Sequence, residues 1–211
     1  MAVSDLPHRT STDLLVLHAL RCIGFSGPAR VAAATGLTES DAESELIDLA
    51  VAGLVTHTSG EFGGWGLTES GRTVDAARIA GELDECGARP AVTKAFDEFM
   101  QLNQDLLYLC TAWQMRSVDG VVTPNDHSDA AYDGRVLDRL AEFDLRADPV
   151  CVELGGALVR FSRYRVRLDD ALTRARSGGL DYVADHLESY HSVWFQLHED
   201  LLVTLGLPRH H

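Results

Sequence analysis

The sequence predicts a mainly α-helical protein carrying one small β element near its N-terminal end. Three observations predict it. Apolar residues recur at helical spacing along most of the 211 residues. Residues 54–67 alone read as two short strands around a glycine-rich turn. Glycine and proline fall where helices are expected to stop and start.

The first helix is "DLLVLHALRCIG", capped by Ser11 or Thr12, with Leu14, Leu17, Leu20 and Ile23 on its apolar side. Ser26 and Pro28 open a short, alanine-rich helix, "GPARVAAATG", and Gly36 supplies the left-handed residue that ends it. Thr38 begins the third, with Asp41 three residues on as in a capping box, and Ala42, Leu46, Leu49 and Ala50 as its buried stripe. Gly53 closes that helix. "LVTHT" and "WGL" are strands about the turn "SGEFGG", and "TESGR" starts a further helix. This order is that of a winged helix-turn-helix, placed at residues 1–75, with a two-stranded wing.

Residues 76–211 are expected to form an all-helical bundle. "VDAARIAGELDEC" leads into a long helix from Ala91 to Arg116, whose apolar face carries Phe96, Phe99, Leu106, Leu109 and Trp113. "SVDGVVTPNDH" is expected to be the longest loop, and Ser128 to cap "DAAYDGRVLDRLAEFDLR". Pro149 is expected to restart a helix that runs to Arg163. A shorter one follows to Arg176, and the last spans Leu180 to Leu205.

A net charge of −14 disfavours nonspecific attraction to nucleic acid or anionic membrane. The polar N-terminal stretch has no apolar signal core and no apolar run reaches membrane length, so a cytoplasmic location off the membrane is expected. Cys22, Cys86, Cys110 and Cys151 are widely separated, which fits free thiols in a reducing compartment.

"VAAATGLTESDAESELIDLAVAGLV" and "WGLTESGR" resemble the MarR-type winged-helix regulators through Ala33, Gly36, Leu37, Leu46, Leu49, Gly53, Leu54, Val55, Leu67, Thr68, Gly71 and Arg72. The resemblance covers residues 11 to 75 and implies a DNA-binding transcriptional regulator. The wing lacks the Asp-x-Arg pattern usual in that family, and no long dimerisation helix precedes the motif, so a homodimer would be built by the later helices. "LCTAWQMR", "NDHSDAAYD" and "SYHSVWFQLHEDLL" are similar to segments of regulator-like proteins from GC-rich genomes. Similar winged segments also accompany enzymes of the pyruvate phosphate dikinase type, which keeps open an alternative: an accessory module that docks on a protein.

On the DNA reading, Arg30, Thr38, Ser40, Glu43, Ser44, Ile47, His57 and Arg72 are the contact candidates. The third helix nevertheless holds Glu39, Asp41, Glu43, Glu45 and Asp48 and no cation, and residues 1–75 set four arginines against ten acids. A groove rimmed by Arg21, Arg30 and Arg72 would favour DNA, whereas a continuous acidic face would favour protein.

For a small-molecule effector, the aromatic run Tyr190, His191, Trp194 and His198 is the candidate wall, with Trp113, Arg116 and His127 as companions. The alternative is that the aromatics are core or dimer interface. His191 and His198 lie about 10.5 Å apart along a helix, too far to hold one metal by themselves; a site shared with His127, Asp126 or Asp129 stays open as the alternative, and no metal or cofactor is expected. The arginines of "RFSRYRVRLDDALTRAR" read as a solvated face neutralising nearby acids, or as an anion site. With no GxSxG, no phosphate-binding glycine loop and no cysteine beside a recognisable base, an enzyme is not expected.

Overall fold

The computed structural model describes residues 6–60 and 63–208. Among them are eight α-helices and two separate two-stranded antiparallel sheets, so the fold is mainly helical. The chain divides into two compact units. The first is drawn from Met1–Thr93, Leu154–Arg163 and Gln196–His211, the second from Lys94–Glu153 and Tyr164–Phe195.

In the first unit, α1 (Thr12–Ile23), α2 (Pro28–Thr35) and α3 (Glu39–Val51) precede β1 (Val55–Thr58), β2 (Gly64–Leu67) and α4 (Glu69–Glu85). Val16, Leu17, Leu20, Val31, Leu46 and Trp65 centre its core. Gly36 ends α2 at φ 81°, in the left-handed region that glycine enters without a Cβ penalty. Thr38 caps α3: its hydroxyl accepts from the Asp41 amide at 3.1 Å and donates to Asp41 Oδ2 at 2.7 Å. The hairpin pairs Val55 with Leu67 and Thr58 with Gly64. Ser26, between α1 and α2, exchanges backbone hydrogen bonds with Trp65 and so ties the hairpin to the helices. The Thr68 hydroxyl accepts from the Gly71 amide and reaches the Gly53 and Leu54 carbonyls. The local pattern Leu-Thr-x-x-Gly-Arg thus combines a helix cap with a close backbone crossing.

This unit does not stop at residue 75. Asp75, Ile79 and Leu83 of α4 are buried, and residues 154–163 and 196–208 return to it from much later in the chain.

The second unit contains most of α5 (Arg89–Gln114) and α6 (Ala130–Ala157), nearly all of α7 (Ser162–Arg176) and the start of α8 (Tyr190–Leu205). Phe99, Leu106, Trp113, Leu140 and Phe143 are buried in it. Four expectations are corrected. The expected long loop holds a hairpin, β3 (Met115–Val118) with β4 (Val121–Pro124), and Arg116 lies in β3 rather than closing the helix. Its turn is Asp119-Gly120, both at positive φ, a pairing that matches the twist of a two-residue hairpin. Asp129, not Ser128, caps α6, accepting from the Ala131 and Tyr132 amides. Pro149 lies inside α6 rather than restarting it; the carbonyl its missing amide leaves free is that of Leu145, a residue 75% exposed, so water can satisfy it. The last helix begins at Tyr190, after a 3-10 turn at Leu180–Tyr182.

Candidate functional site

Helix α3 turns Ala42, Leu46 and Leu49 inward and leaves Glu39, Ser40, Asp41, Glu43, Ser44, Ile47 and Asp48 exposed. Ile47 is 50% and Val51 86% exposed, so the acidic surface also carries apolar area. Burial, followed by the charges of Asp13, Asp48 and Asp41, raises the pKa of Glu45. The expected cations are differently placed. Arg30 Nη1 donates inward to the Ile23 carbonyl and Ser26 hydroxyl, both at 3.1 Å. Arg21 pairs with Glu199 at 3.4 Å. Arg72 is exposed, and His57 is exposed with its ring 4.6 Å from that of Trp65.

The seven effector candidates separate into groups. Tyr190 and Trp194 are core residues of the second unit. The Tyr190 hydroxyl donates to Asp144 at 2.8 Å, and Trp194 Nε1 donates to Asn103 at 3.0 Å while its ring stacks on Phe99 at 4.4 Å. Aromatic residues at helical spacing have turned to the core with their polar ends satisfied there. His191 is part-buried, and burial lowers its pKa against the pull of Asp185. His198 belongs to the first unit. Trp113 and His127 do meet, beside β3–β4, and Arg116 bonds the residues on either side of His127. The rings of Trp113 and His127 are 4.6 Å apart, His127 Nδ1 lies 3.1 Å from Asp133, and Arg116 donates to Asp126 and Ser128. His127 has φ 56°, a left-handed backbone that side chains other than glycine rarely adopt. Trp113 Nε1 and Arg116 Nε are buried donors with no hydrogen-bond partner among the described residues.

Most of the arginine cluster answers to the protein's own groups. Arg165 pairs with Asp144 at 2.9 Å, Arg167 with Glu188 at 2.7 Å and Arg174 with Asp170 at 2.8 Å; Arg163 donates to the Ala33 carbonyl.

Arg160 differs, because it enters a buried polar cluster in the first unit that the sequence reading missed. At its centre is His18 of α1. Its Nδ1 lies 3.0 Å from Asp75 of α4 and its Nε2 3.0 Å from Asp200 of α8; the three side chains are 3%, 0% and 4% exposed. Cys22 Sγ lies 3.6 Å from the same Nε2. Arg160 pairs with Asp200 through Nη1, donates to Thr204 through Nη2 at 2.7 Å and faces Glu82 at 3.5 Å. Glu82 in turn meets His8 at 3.2 Å. Burial pulls the His18 imidazolium down, but the Cys22 sulfur, Asp200 and Asp75 outweigh it and hold its pKa well above the ordinary histidine value. Burial, with the charges of Asp200 and Asp75, pushes the Cys22 thiol up against the pull of His18. Asp200 is depressed: burial opposes ionisation, and Arg160 and His18 overcome it. His18, Cys22 and Asp200 bring one potential metal-ligand atom each to within 4.8 Å of one another.

The sequence carried one signal for this cluster, the spacing of four between His18 and Cys22, which puts both on one side of a helix. Comparison with protein-family models, with curated proteins and with solved structures gives no match.

Proposed function

We propose that α1 through β2 form a winged helix of MarR type and that the chain is a homodimeric, ligand-responsive transcriptional regulator that binds double-stranded DNA. The observation that carries the reading is α3 itself. It follows α2 across a glycine turn, is capped by Thr38, buries one side, and presents Ser40, Glu43, Ser44 and Ile47 outward beside a hairpin anchored at Ser26. Two copies related by a two-fold axis would set two such helices about one DNA turn apart. The effector site is Trp113, Arg116 and His127, whose two unsatisfied buried donors suit an acceptor such as a carboxylate.

A second reading is supported by the charge on α3. Glu39, Asp41, Glu43 and Asp48 are exposed with Ile47 and Val51 and without a single Lys or Arg on the helix, a surface suited to a basic, partly apolar protein partner. On the DNA reading the same acids suppress binding to random sequence, leaving recognition to Ser40, Ser44 and base-edge contacts.

The Glu43→Lys, Asp48→Lys double variant separates the two. Wild type and variant are titrated with promoter and random duplexes at several salt concentrations. The regulator reading expects the variant to bind random duplex more tightly, with a steeper salt slope and a smaller promoter preference. If the variant binds no duplex better than wild type, α3 does not meet DNA and the docking reading replaces it.

A further inference from the structure

The buried cluster has a property that neither reading uses: it places an imidazole, a thiol and a carboxylate at metal-ligand spacing. We infer that His18, Cys22 and Asp200 form a buried site for a divalent cation of the zinc class. The donor set is one nitrogen, one sulfur and one oxygen, the mixture that zinc accepts and that harder cations such as magnesium do not. Zinc bonds of about 2.0 Å to nitrogen and about 2.3 Å to sulfur, set tetrahedrally, separate the two donors by about 3.5 Å. The observed distance from His18 Nε2 to Cys22 Sγ is 3.6 Å, and that from Nε2 to Asp200 Oδ1 is 3.0 Å. Little rearrangement is needed. Three side chains furnish three donors, one atom each.

The surroundings fit the same role. Metal-binding histidines usually give their other ring nitrogen to a carboxylate, which fixes the ring and raises its basicity. Asp75 stands in that place, 3.0 Å from His18 Nδ1 and fully buried. Thr204 donates to Asp200 Oδ1 at 3.0 Å, and Arg160 holds the same carboxylate, so the ligand oxygen is fixed in advance.

A bound M²⁺ would take its bonds from lone pairs of His18 Nε2, the Cys22 sulfur and an Asp200 oxygen, and any proton carried by that nitrogen or sulfur would leave to solvent. The metal would staple α1 to α8 within the first unit, a constraint separate from any DNA or protein contact of α3.

The test uses the full chain and Co²⁺ as a spectroscopic stand-in for zinc. Because the site is buried, the protein is unfolded with chelator and refolded with increasing Co²⁺. The expected result is one equivalent bound, with a near-ultraviolet thiolate-to-cobalt band that Zn²⁺ abolishes and a thermal midpoint several degrees above that of the metal-free protein, roughly the size mass action gives for ligand in large excess over Kd. Cys22→Ala and His18→Asn should each lose the band, while Cys86→Ala, Cys110→Ala and Cys151→Ala each keep it. A folded wild type with no thiolate band at stoichiometric Co²⁺ overturns the inference, as does a band that survives Cys22→Ala. If Cys22→Ala does not fold, the other three cysteine variants decide, and loss of the band in any of them overturns it.

Discussion

A Cβ at Gly71 would stand 2.0 Å from the Leu54 carbonyl oxygen, far inside the contact distance of a non-bonded carbon and oxygen. The neighbour is backbone, held by the Thr68 hydroxyl and by the Thr68 amide, which donates to that oxygen at 3.0 Å, so it cannot rotate aside. Gly71→Ala is therefore expected to lower stability by roughly 2 kcal/mol or more, measured by denaturant unfolding. Gly81→Ala is the control on the same helix. Nothing lies within 4 Å of its added Cβ, and the change should be neutral or stabilise by up to about 1 kcal/mol. Equal losses in both variants would show that the close crossing is not the cause. At this scale the sequence was most informative where a residue acts on its neighbours. Gly36 and Thr38 were legible because a helix stop and a helix cap are local chemistry. His18 was not: on α1 it looks like one polar residue in an apolar face, and its partner Asp75 lies 57 residues away. Nothing near His18 in the chain announces two carboxylates.

Among elements, the hairpin β3–β4 shows how a local signal can be present and still be outweighed. "VDGV" carries the Asp-Gly pair that favours a two-residue turn, yet the helical periodicity on either side argues for a loop between helices. Gly120 has φ 84°, and nothing crowds its position, so the cost of a side chain there is conformational alone. Gly120→Ala should destabilise the hairpin by about 1 kcal/mol. The expected readout is faster amide exchange across Val118 and Val121. A variant that exchanges no faster would mean that the turn does not control the hairpin. Pro149 is the converse case. Proline is a sound helix-breaking signal, but its cost depends on whether the abandoned carbonyl reaches water, which only the three-dimensional placement decides.

At the level of the whole molecule, the order of the N-terminal elements was legible from periodicity and caps. The assembly of the first unit was not, because residues 154–163 and 196–208 join it through contacts that leave no trace in local pattern. The same limit applies to the partner copy that the regulator reading requires. Support for that copy comes from apolar side chains that the second unit leaves in water. Met100 and Leu107 are seven residues apart on α5, and Leu145 and Val152 seven apart on α6, all exposed; seven residues is two helical turns, so each pair lies along one stripe. Arg146 and Asp105, joined at 2.7 Å, link these two helices beside Tyr108, itself 62% exposed. Burying two such stripes against their symmetry mates would remove apolar area from water on both copies at once. The wild-type chain is expected to scatter light as twice its 23.0 kDa at tens of micromolar, roughly the range in which such association is resolved. Leu107→Glu combined with Leu145→Glu places two carboxylates per copy on those stripes and should return the mass to that of one chain. Because both side chains are exposed, the folded monomer should keep its circular dichroism and unfolding midpoint. Its promoter affinity should fall at least tenfold, since a monomer meets only one half-site. A wild type that is monomeric at these concentrations would remove the dimer from the proposed function, and a double variant that remains dimeric would place the interface elsewhere.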